Sequence, residues 1–225
     1  MIFQIISIIS FIFYCWGISI IFTLQRLIDA TGITSNWRRL HVVWHDLRSP
    51  LNDYTQHELP RDLDFVVHAG AETHVDESIS RPLDFVHSNV LATAHLLEWA
   101  RTLPKLKWFN YFSTDEVYGP APEGVSFTEG SPYNATNPYS ATKAGAEQLC
   151  RAYANTYGVH VLVTTTMNLF GERQHQQKFI PLVINSVLDG KVVKIHADPT
   201  KTTPGSRHYL NCRNAAAGVL WALGW

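Results

Sequence analysis

Continuous apolar runs alternate with helical patterns along this chain, and this alternation most constrains its fold. Apolar runs occupy 63–71, 106–113 and 159–168, and helical spacing fills 81–101 and 137–158 between them. Because the runs are apolar throughout rather than at every second residue, we expect both faces of the sheet to be covered. The pattern predicts an α/β fold with a Rossmann-like, doubly wound parallel sheet.

Further elements are predicted on both sides of this central part. A short helix closed by Gly32 precedes a strand that runs into a polar tip. After the third apolar run, a helix, a strand and a final helix follow. These elements are expected at 24–32, 40–47, 178–190, 191–197 and 213–223.

Composition excludes several classes of protein. The formal net charge is −1 and no basic stripe is present, so nucleic-acid binding is not expected. Cys15, Cys150 and Cys212 are widely separated, which fits neither a disulfide framework nor a zinc site. We therefore expect a reducing compartment, the cytoplasm. The eleven histidines form no H-E-x-x-H cluster, so no metal is predicted.

The first 23 residues differ from the rest of the chain. No charge occurs before Arg26, and the apolar run is long enough to span a bilayer, which takes roughly 20 residues. It lacks the positive start and small-residue cleavage site of a secretory signal. Three interpretations remain open: a membrane anchor, a buried strand-rich segment, or sequence foreign to the parent domain.

Polar residues follow the predicted strands where a parallel sheet binds ligands, outside the carboxyl ends of its strands. They are Asp46, the run 69–74, the S-T-D-E run at 113–116, and residues 167–171. We therefore expect one site at this edge of the sheet.

Tyr139 and Lys143 lie four residues apart on a predicted helix, so both project from one face. An ammonium beside a phenol favours the phenolate and lowers the tyrosine pKa. Such a tyrosine can accept a proton from a sugar hydroxyl, and the lysine can also hold a ribose hydroxyl. Alone, such a pair is more often an exposed aromatic–lysine pair; the hydroxyl-rich strand end upstream favours the functional interpretation.

Several ordered motifs resemble the extended short-chain dehydrogenase/reductase superfamily. Within it, "FSTDEVYG" and "NPYSATKAGAE" resemble the nucleotide-sugar 4,6-dehydratases of the dTDP-glucose type. "HAGAETHVDESI", "NVLATAHLLEWAR" and "MNLFGERQHQQKFIPLVI" are similar to further segments of that family, in the same order. The similarity covers roughly residues 24–222, nearly everything except the N-terminus.

The resemblance implies a reaction. Tyr139 takes the proton of the sugar 4-hydroxyl while C4 gives a hydride to NAD, and the new ketone acidifies the C5 proton. Glu116 removes that proton and Asp115 protonates the departing 6-hydroxyl. Hydride then returns to C6, which gives a 4-keto-6-deoxy sugar nucleotide. Thr114 would hydrogen-bond the 4-oxygen.

The adjacent acids distinguish this activity from its relatives. One must be protonated and the other ionised at the same pH, and close carboxylates push their pKa values apart. Sister epimerases and decarboxylases usually have small or hydroxyl residues at Asp115 and Glu116. The competing interpretation is that one of the acids caps a turn or a helix start.

The resemblance also implies binding residues. Those for the cofactor NAD are Asp46 and Leu47 at the adenine, Ala69, Gly70 and Ala71 beside the backbone, and Ser113, Tyr139 and Lys143. Those for the nucleotide sugar are Thr73, His74, Asn168 and Arg207. Asp46 could equally be a turn aspartate, and His74 a packed residue at a helix start. "SRHYLN" around Arg207 departs from the R-D-W common in the family.

The family begins with a strand and a G-x-x-G-x-x-G loop, whose backbone reaches the cofactor pyrophosphate at a helix N-terminus. This sequence contains no such motif. We expect residues 1–23 to replace the first βαβ unit, and residues 24–225 to form an NAD(P)-binding Rossmann-like domain with an incomplete C-terminal substrate domain. The rival account is a membrane-anchored paralogue.

Three functions compete at this point. The first is NAD-dependent dehydration of a nucleoside diphosphate sugar. The second is a sister epimerase or decarboxylase, which Glu116 disfavours. The third is an inactive homologue that binds a sugar nucleotide or a partner, which the missing glycine motif favours. The resemblance also implies a homodimer through helices that include the Tyr139–Lys143 helix.

Overall fold

The structure is a computed structural model that describes residues 43–172, 174–195, 197–198 and 200–224. The segment 1–23, the helix predicted at 24–32 and the first part of the strand predicted at 40–47 lie outside these ranges. The chain forms two compact units that divide between Thr164 and Thr165.

The first unit contains most of the regular structure. Its elements are α1 Asp53–Glu58, β1 Phe65–His68, α2 Val75–Ser80, α3 Pro82–Phe85, a π-helical turn Val86–Leu91, α4 Ala92–Ala100, β2 Trp108–Thr114, a 3-10 helix Asp115–Tyr118, α5 Pro138–Tyr157 and β3 Val161–Thr166, which crosses into the second unit. The second unit continues with β4 Asn168–Phe170, α6 Phe179–Leu188, β5 Tyr209–Asn211 and α7 Cys212–Ala222.

The strands form two sheets. In the first, the order is β1-β2-β3, and β1 is parallel to β2 with Phe65 opposite Trp108 and His68 opposite Tyr111. In the second, β4 and β5 are parallel. Parallel strands joined through helices confirm the predicted α/β class.

The core of the first unit lies between the sheet and helices α4 and α5. Three consecutive residues of β2, from Phe109 to Tyr111, are buried, so this strand is covered on both faces, as its continuous apolar sequence predicted. The core includes Leu63, Val66, Leu96, Leu97, Phe109, Tyr111, Ala146 and Cys150.

Helix α5 has a strong signal at each end. The side chain of Asn137 accepts a hydrogen bond from Ser140 N (2.9 Å), and the Ser140 hydroxyl accepts one from Asn137 N (3.3 Å). Pro138 occupies the first turn, where its missing N–H costs nothing. Gly158 ends the helix in the left-handed conformation, with φ 71°. The helix predicted at 137–158 is thereby confirmed.

Two predicted strands are wrong in the described residues. Residues 43–46 have no regular structure, and the chain turns directly after them, where Ser49 N donates to Asp46 O (2.9 Å). Residues 191–195 have none either, and Ala197 makes an isolated antiparallel bridge with Pro204. There the Asp198 carboxylate holds a turn by accepting from the amides of Thr202 and Thr203.

The sequence did not predict α1 and α2. Each is six residues long, too short to show helical periodicity. The side chain of Asn52 starts α1 by accepting from Thr55 N (2.8 Å). In the part of the chain that the structure describes, no helix is long and apolar enough to cross a bilayer.

Gly119 ends the 3-10 helix, and its backbone conformation and close packing favour glycine at this position. Its φ is 74°, and a Cβ at this position would lie 2.4 Å from Asn134 O. We predict that Gly119→Ala lowers the free energy of unfolding by more than about 2 kcal/mol, because strain and overlap add. Urea denaturation measures this. Gly124→Ala is the matched control, since Gly124 has φ 75° with nothing within 4 Å. Equal losses in both variants would contradict the role of the close approach.

His68, at the end of β1, is buried, and its Nε2 pairs with the Thr93 hydroxyl at 2.9 Å. Burial, with the Lys143 charge second, lowers the pKa of His68 from 6.5 to about 3. The unfolded state therefore binds a proton as the pH falls below 6.5, while the folded state does not. The free energy of unfolding thus decreases as the pH is lowered.

We predict that between pH 7 and pH 5 the wild type loses about 2 kcal/mol more unfolding free energy than His68→Gln, since glutamine does not titrate. Urea unfolding at the two pH values measures the difference. Parallel losses in the two proteins would show that His68 takes up its proton without unfolding.

Candidate active site

The carboxyl end of β2 carries the two adjacent acids. Thr114 is buried and extended, and its hydroxyl oxygen accepts from Glu116 N (3.3 Å), which starts the 3-10 helix. Asp115 is exposed and Glu116 is half-buried. Thr114, not an acid, is the N-cap, so the interpretation of the acids as capping residues loses its basis here.

Tyr139 lies beside this strand end. Its side chain is 8% exposed, and burial raises the pKa of its phenol to about 12. The negative charges of Glu116 and Asp115 act in the same direction, and a hydrogen bond with Thr114 acts against them. Tyr139 therefore lies within electrostatic range of Thr114, Asp115 and Glu116.

Lys143 points to the same strand end but engages other groups. Its Nζ donates to Phe112 O and lies 4.3 Å from the centroid of the Tyr111 ring. Burial lowers the pKa of Lys143 to about 8, so the ammonium form predominates at pH 7.

The prediction that Lys143 lowers the pKa of Tyr139 is wrong in this structure. The lysine ammonium is held by a backbone carbonyl, and it is not among the groups that shift the phenol. Burial and the two nearby carboxylates determine the tyrosine pKa instead.

The hydroxyl of Ser113 is buried and has no hydrogen-bond partner among the described residues. Leaving such a group unpaired costs about 1–3 kcal/mol, so the site favours a ligand that bonds to it. At the end of the neighbouring β1, Ala69 is exposed and Gly70 and Ala71 are half-buried. A buried hydroxyl, an ammonium and a run of small residues fit the ribose and nicotinamide part of NAD.

Asp46 occupies a turn, the second of its two interpretations. Its carboxylate accepts from Arg48 N, Nε and Nη2, at 2.6–3.0 Å, and these bonds with Arg48 lower the pKa of Asp46. Leu47 packs in the core, and its carbonyl oxygen lies 3.0 Å from His95 Nδ1. The contacts predicted for both residues with adenine stay a prediction.

The predicted substrate residues fall into two groups. Thr73 is exposed on the loop after β1, and His74 is the N-cap residue of α2, with a buried Nδ1 that has no hydrogen-bond partner in the described part. Asn168 begins β4, and the exposed Arg207 donates to Ser206 O, both in the second unit. Their roles stay predictions.

Asn137 is a site residue that the sequence reasoning missed. While its Oδ1 caps α5, its Nδ2 donates a long hydrogen bond to Glu116 Oε2 (3.5 Å). One side chain therefore fixes both the start of the Tyr139 helix and one of the acids. The N-P pair before a helical pattern signals the cap in the sequence, but nothing there signals the second contact.

Asn89 was missed as well. It lies buried in the π-helical turn, where its Oδ1 accepts from Glu72 N (2.8 Å) and its Nδ2 donates to Glu72 O (3.1 Å) and Thr142 Oγ1 (3.0 Å). It thereby ties the loop after β1 to α5. Such π-helical turns are frequent at functional sites, and no sequence signal marks them.

Comparison with known proteins identifies the family of this chain. The model of the NAD dependent epimerase/dehydratase family matches residues 24–225. The chain belongs to this family. The resemblance found in the sequence is thus confirmed, and the family is NAD-dependent by its description. Among the described residues, no group of three or more histidine, cysteine or acidic side chains could hold a metal ion.

Curated relatives of this chain include dTDP-glucose 4,6-dehydratases. A dTDP-glucose 4,6-dehydratase of Mycobacterium tuberculosis (strain CDC 1551 / Oshkosh) is 39% identical over 176 residues, 76% of this chain and 53% of the relative. One from Haemophilus influenzae is 44% identical over 144 residues, 60% of this chain and 43% of the relative. The chain thus spans about half the length of these relatives.

Solved structures of the family show the same fold. A dTDP-glucose 4,6-dehydratase from Streptomyces venezuelae with NAD and TYD bound has a TM-score of 0.76 at 34% identity, covering 87% of this chain and 58% of the other. A UDP-glucuronic acid 4-epimerase from Bacillus cereus with UDP-glucuronic acid and NAD has a TM-score of 0.74 at 25% identity, covering 89% and 60%. The Rossmann-like fold is thereby confirmed.

The electrostatic effect of Glu116 on Tyr139 can be tested without turnover. We predict that Glu116→Gln lowers the pKa of Tyr139 below about 12, because a nearby carboxylate disfavours the phenolate. NMR titration of protein labelled at the tyrosine Cζ measures it. Glu129→Gln, an exposed change in the following loop, is the control and should leave the value unchanged. If the pKa of Tyr139 in Glu116→Gln equals that of the wild type, Glu116 and Tyr139 do not belong to one site.

Proposed function

We propose that this chain carries the catalytic part of an NAD-dependent nucleoside diphosphate sugar 4,6-dehydratase of the dTDP-glucose type. The observation that best supports this proposal is that Asp115 and Glu116 are adjacent on a 3-10 helix and that both carboxylates raise the pKa of the buried Tyr139. A dehydratase needs two acid–base groups besides the tyrosine, because it removes a proton and a hydroxyl from neighbouring carbons. An epimerase does not.

The residues that would hold NAD lie around the ends of β1 and β2. Ser113 and Lys143 would meet the ribose and nicotinamide part, the stretch Ala69–Ala71 would let the cofactor approach the backbone, and Asp46 and Leu47 would meet the adenine. Bound NAD would supply an acceptor for the hydride from sugar C4 and a donor of that hydride to C6.

Each acid–base group has one proton to move in the proposed reaction. Tyr139 accepts the proton of the sugar 4-hydroxyl, and Thr114 hydrogen-bonds the 4-oxygen. Glu116 takes the C5 proton, and the electron pair of the C5–H bond forms the C5–C6 double bond as the C6–O bond breaks. Glu116 returns the proton to C5 when the hydride adds to C6. Asp115 gives its proton to the departing hydroxyl, which leaves as water. Thr73, His74, Asn168 and Arg207 would bind the nucleotide sugar.

The phenol pKa sets a condition on this chemistry. With a pKa of about 12, Tyr139 holds its proton at pH 7. Proton acceptance therefore requires that its pKa falls when the site is filled. Among the described residues, Thr114 already favours the phenolate, by hydrogen bonding. Its hydroxyl thus serves Tyr139 as well as the 4-oxygen.

A second candidate is binding of a sugar nucleotide without turnover. For either function we propose a cytoplasmic protein that forms a homodimer, on its cysteine spacing and on the family resemblance. Association with a membrane would follow only if residues 1–23 act as an anchor.

One assay separates the candidates. The purified protein is incubated with NAD and either dTDP-glucose or UDP-glucose, and the 4-keto product is followed by its absorbance in alkali. We expect product from the wild type, and a loss of at least about 100-fold in Glu116→Gln and in Tyr139→Phe, because each removes an acid–base group. Glu129→Gln should keep wild-type activity.

Calorimetric titration with dTDP accompanies the assay. Binding without product in the wild type would favour the second candidate. A product inverted at C4 with C6 unchanged would identify an epimerase and overturn the dehydratase proposal.

A further inference from the structure

Glu147 is a buried acid that the proposed reaction does not use. It lies on α5 with 1% of its side chain exposed. The Tyr133 hydroxyl donates to its Oε1, and Arg151 Nη2 lies 3.0 Å from the same oxygen. Its Oε2 is buried without a hydrogen-bond partner among the described residues. Burying a carboxylate is costly unless it is paired, so Tyr133 and Arg151 together hold it in place.

Tyr133 links Glu147 to the segment that carries Asp115 and Glu116. Val117, Tyr118 and Ala144 form a small separate core, and Phe127 and Tyr133 pack against it. The rings of Tyr118 and Tyr133 lie 5.9 Å apart. This core contains the last two residues of the 3-10 helix that carries Asp115 and Glu116.

The backbone after Tyr133 holds the same helix. Asn134 N donates to Val117 O (2.9 Å), and Asn134 O lies against Gly119, where no Cβ fits. A hydrogen bond at Tyr133 therefore fixes both a ring and a backbone segment against the acid-bearing helix. Thr114 holds the other end.

Glu147 lies on the same helix as two residues of the candidate site. Tyr139, Lys143 and Glu147 follow one another at four-residue spacing, and all three are buried, so they share one face of the helix. This face thus contacts the acid-bearing segment twice, at Tyr139 and through Tyr133.

We propose that Glu147 is a positioning residue that acts through Tyr133 to fix the 3-10 helix and orient Asp115 and Glu116. This inference rests on the proposed function for its catalytic part, but its structural part can be measured in an inactive protein. If Glu147 served stability alone, its loss would loosen the whole unit evenly.

Amide hydrogen exchange followed by NMR tests the structural part. In Glu147→Gln we expect the amides of Gly119 and Asn134 to exchange at least about tenfold faster, since the neutral amide is a weaker acceptor for Tyr133 and loses the ion pair with Arg151. The amide of Phe109, bonded to His160 O in the sheet, reports the whole unit and should change less. Tyr133→Phe removes the same bond from the other side and should give the same local effect, which covers the case that Glu147→Gln does not fold.

The surface offers a matched control. Glu98 accepts from Tyr153 OH (2.6 Å) and Arg101 Nη2 (2.6 Å), the same Tyr–Glu–Arg chemistry in an exposed setting. Glu98→Gln should leave the exchange of Gly119 and Asn134 unchanged. Equal acceleration at Gly119, Asn134 and Phe109 in Glu147→Gln, or none at Gly119 and Asn134, would overturn the proposal.

Kinetics test the catalytic part. We expect Glu147→Gln to lower kcat about tenfold or more with the KM for the nucleotide sugar unchanged, because the acids act after binding. Combining it with Tyr133→Phe should add little, since both act through one contact. Unchanged kcat despite faster local exchange would overturn the catalytic role. A wild type without turnover would count against the proposed function alone, and exchange would still decide whether Glu147 fixes the helix.

Discussion

The packing of the first turns of α5 against the end of β2 is the contact on which the site depends. Lys143 donates to Phe112 O there, and Asn137 reaches Glu116 from the helix start. The helix can lie this close because its Asn137–Ser140 capping box satisfies the first amides internally. The sheet edge therefore receives side chains from two elements whose relative position is fixed by hydrogen bonds rather than by apolar contact alone.

Burial has opposite effects on the two groups that this packing brings in. It raises the pKa of Tyr139 and lowers the pKa of Lys143, since each loses hydration in its charged form. Both groups thus favour their neutral forms more than they would in water. In such a site the phenol of Tyr139 holds its proton more firmly than it would in water.

Sequence reasoning reached the fold and the acid pair because both depend on local patterns. Continuous apolar runs identified β1 and β2, and the Asn-Pro start and Gly158 delimited α5. The strand predicted at 191–197 is wrong, because the composition of this segment did not reveal the turn that the Asp198 carboxylate stabilises. Asn89 escaped because its partners Glu72 and Thr142 are 17 and 53 residues away. Contacts at such separations leave no periodicity to read.

The acid pair sits on a single 3-10 turn with a threonine cap at one end and Gly119 at the other. Residues in such a helix advance by about 120° each, so one inserted or deleted residue would swing Glu116 away from Tyr139. The spacing between Thr114 and Gly119 therefore tolerates changes of side chain better than changes of length. Other side chains could replace the two acids in evolution, whereas the number of residues between Thr114 and Gly119 must stay the same.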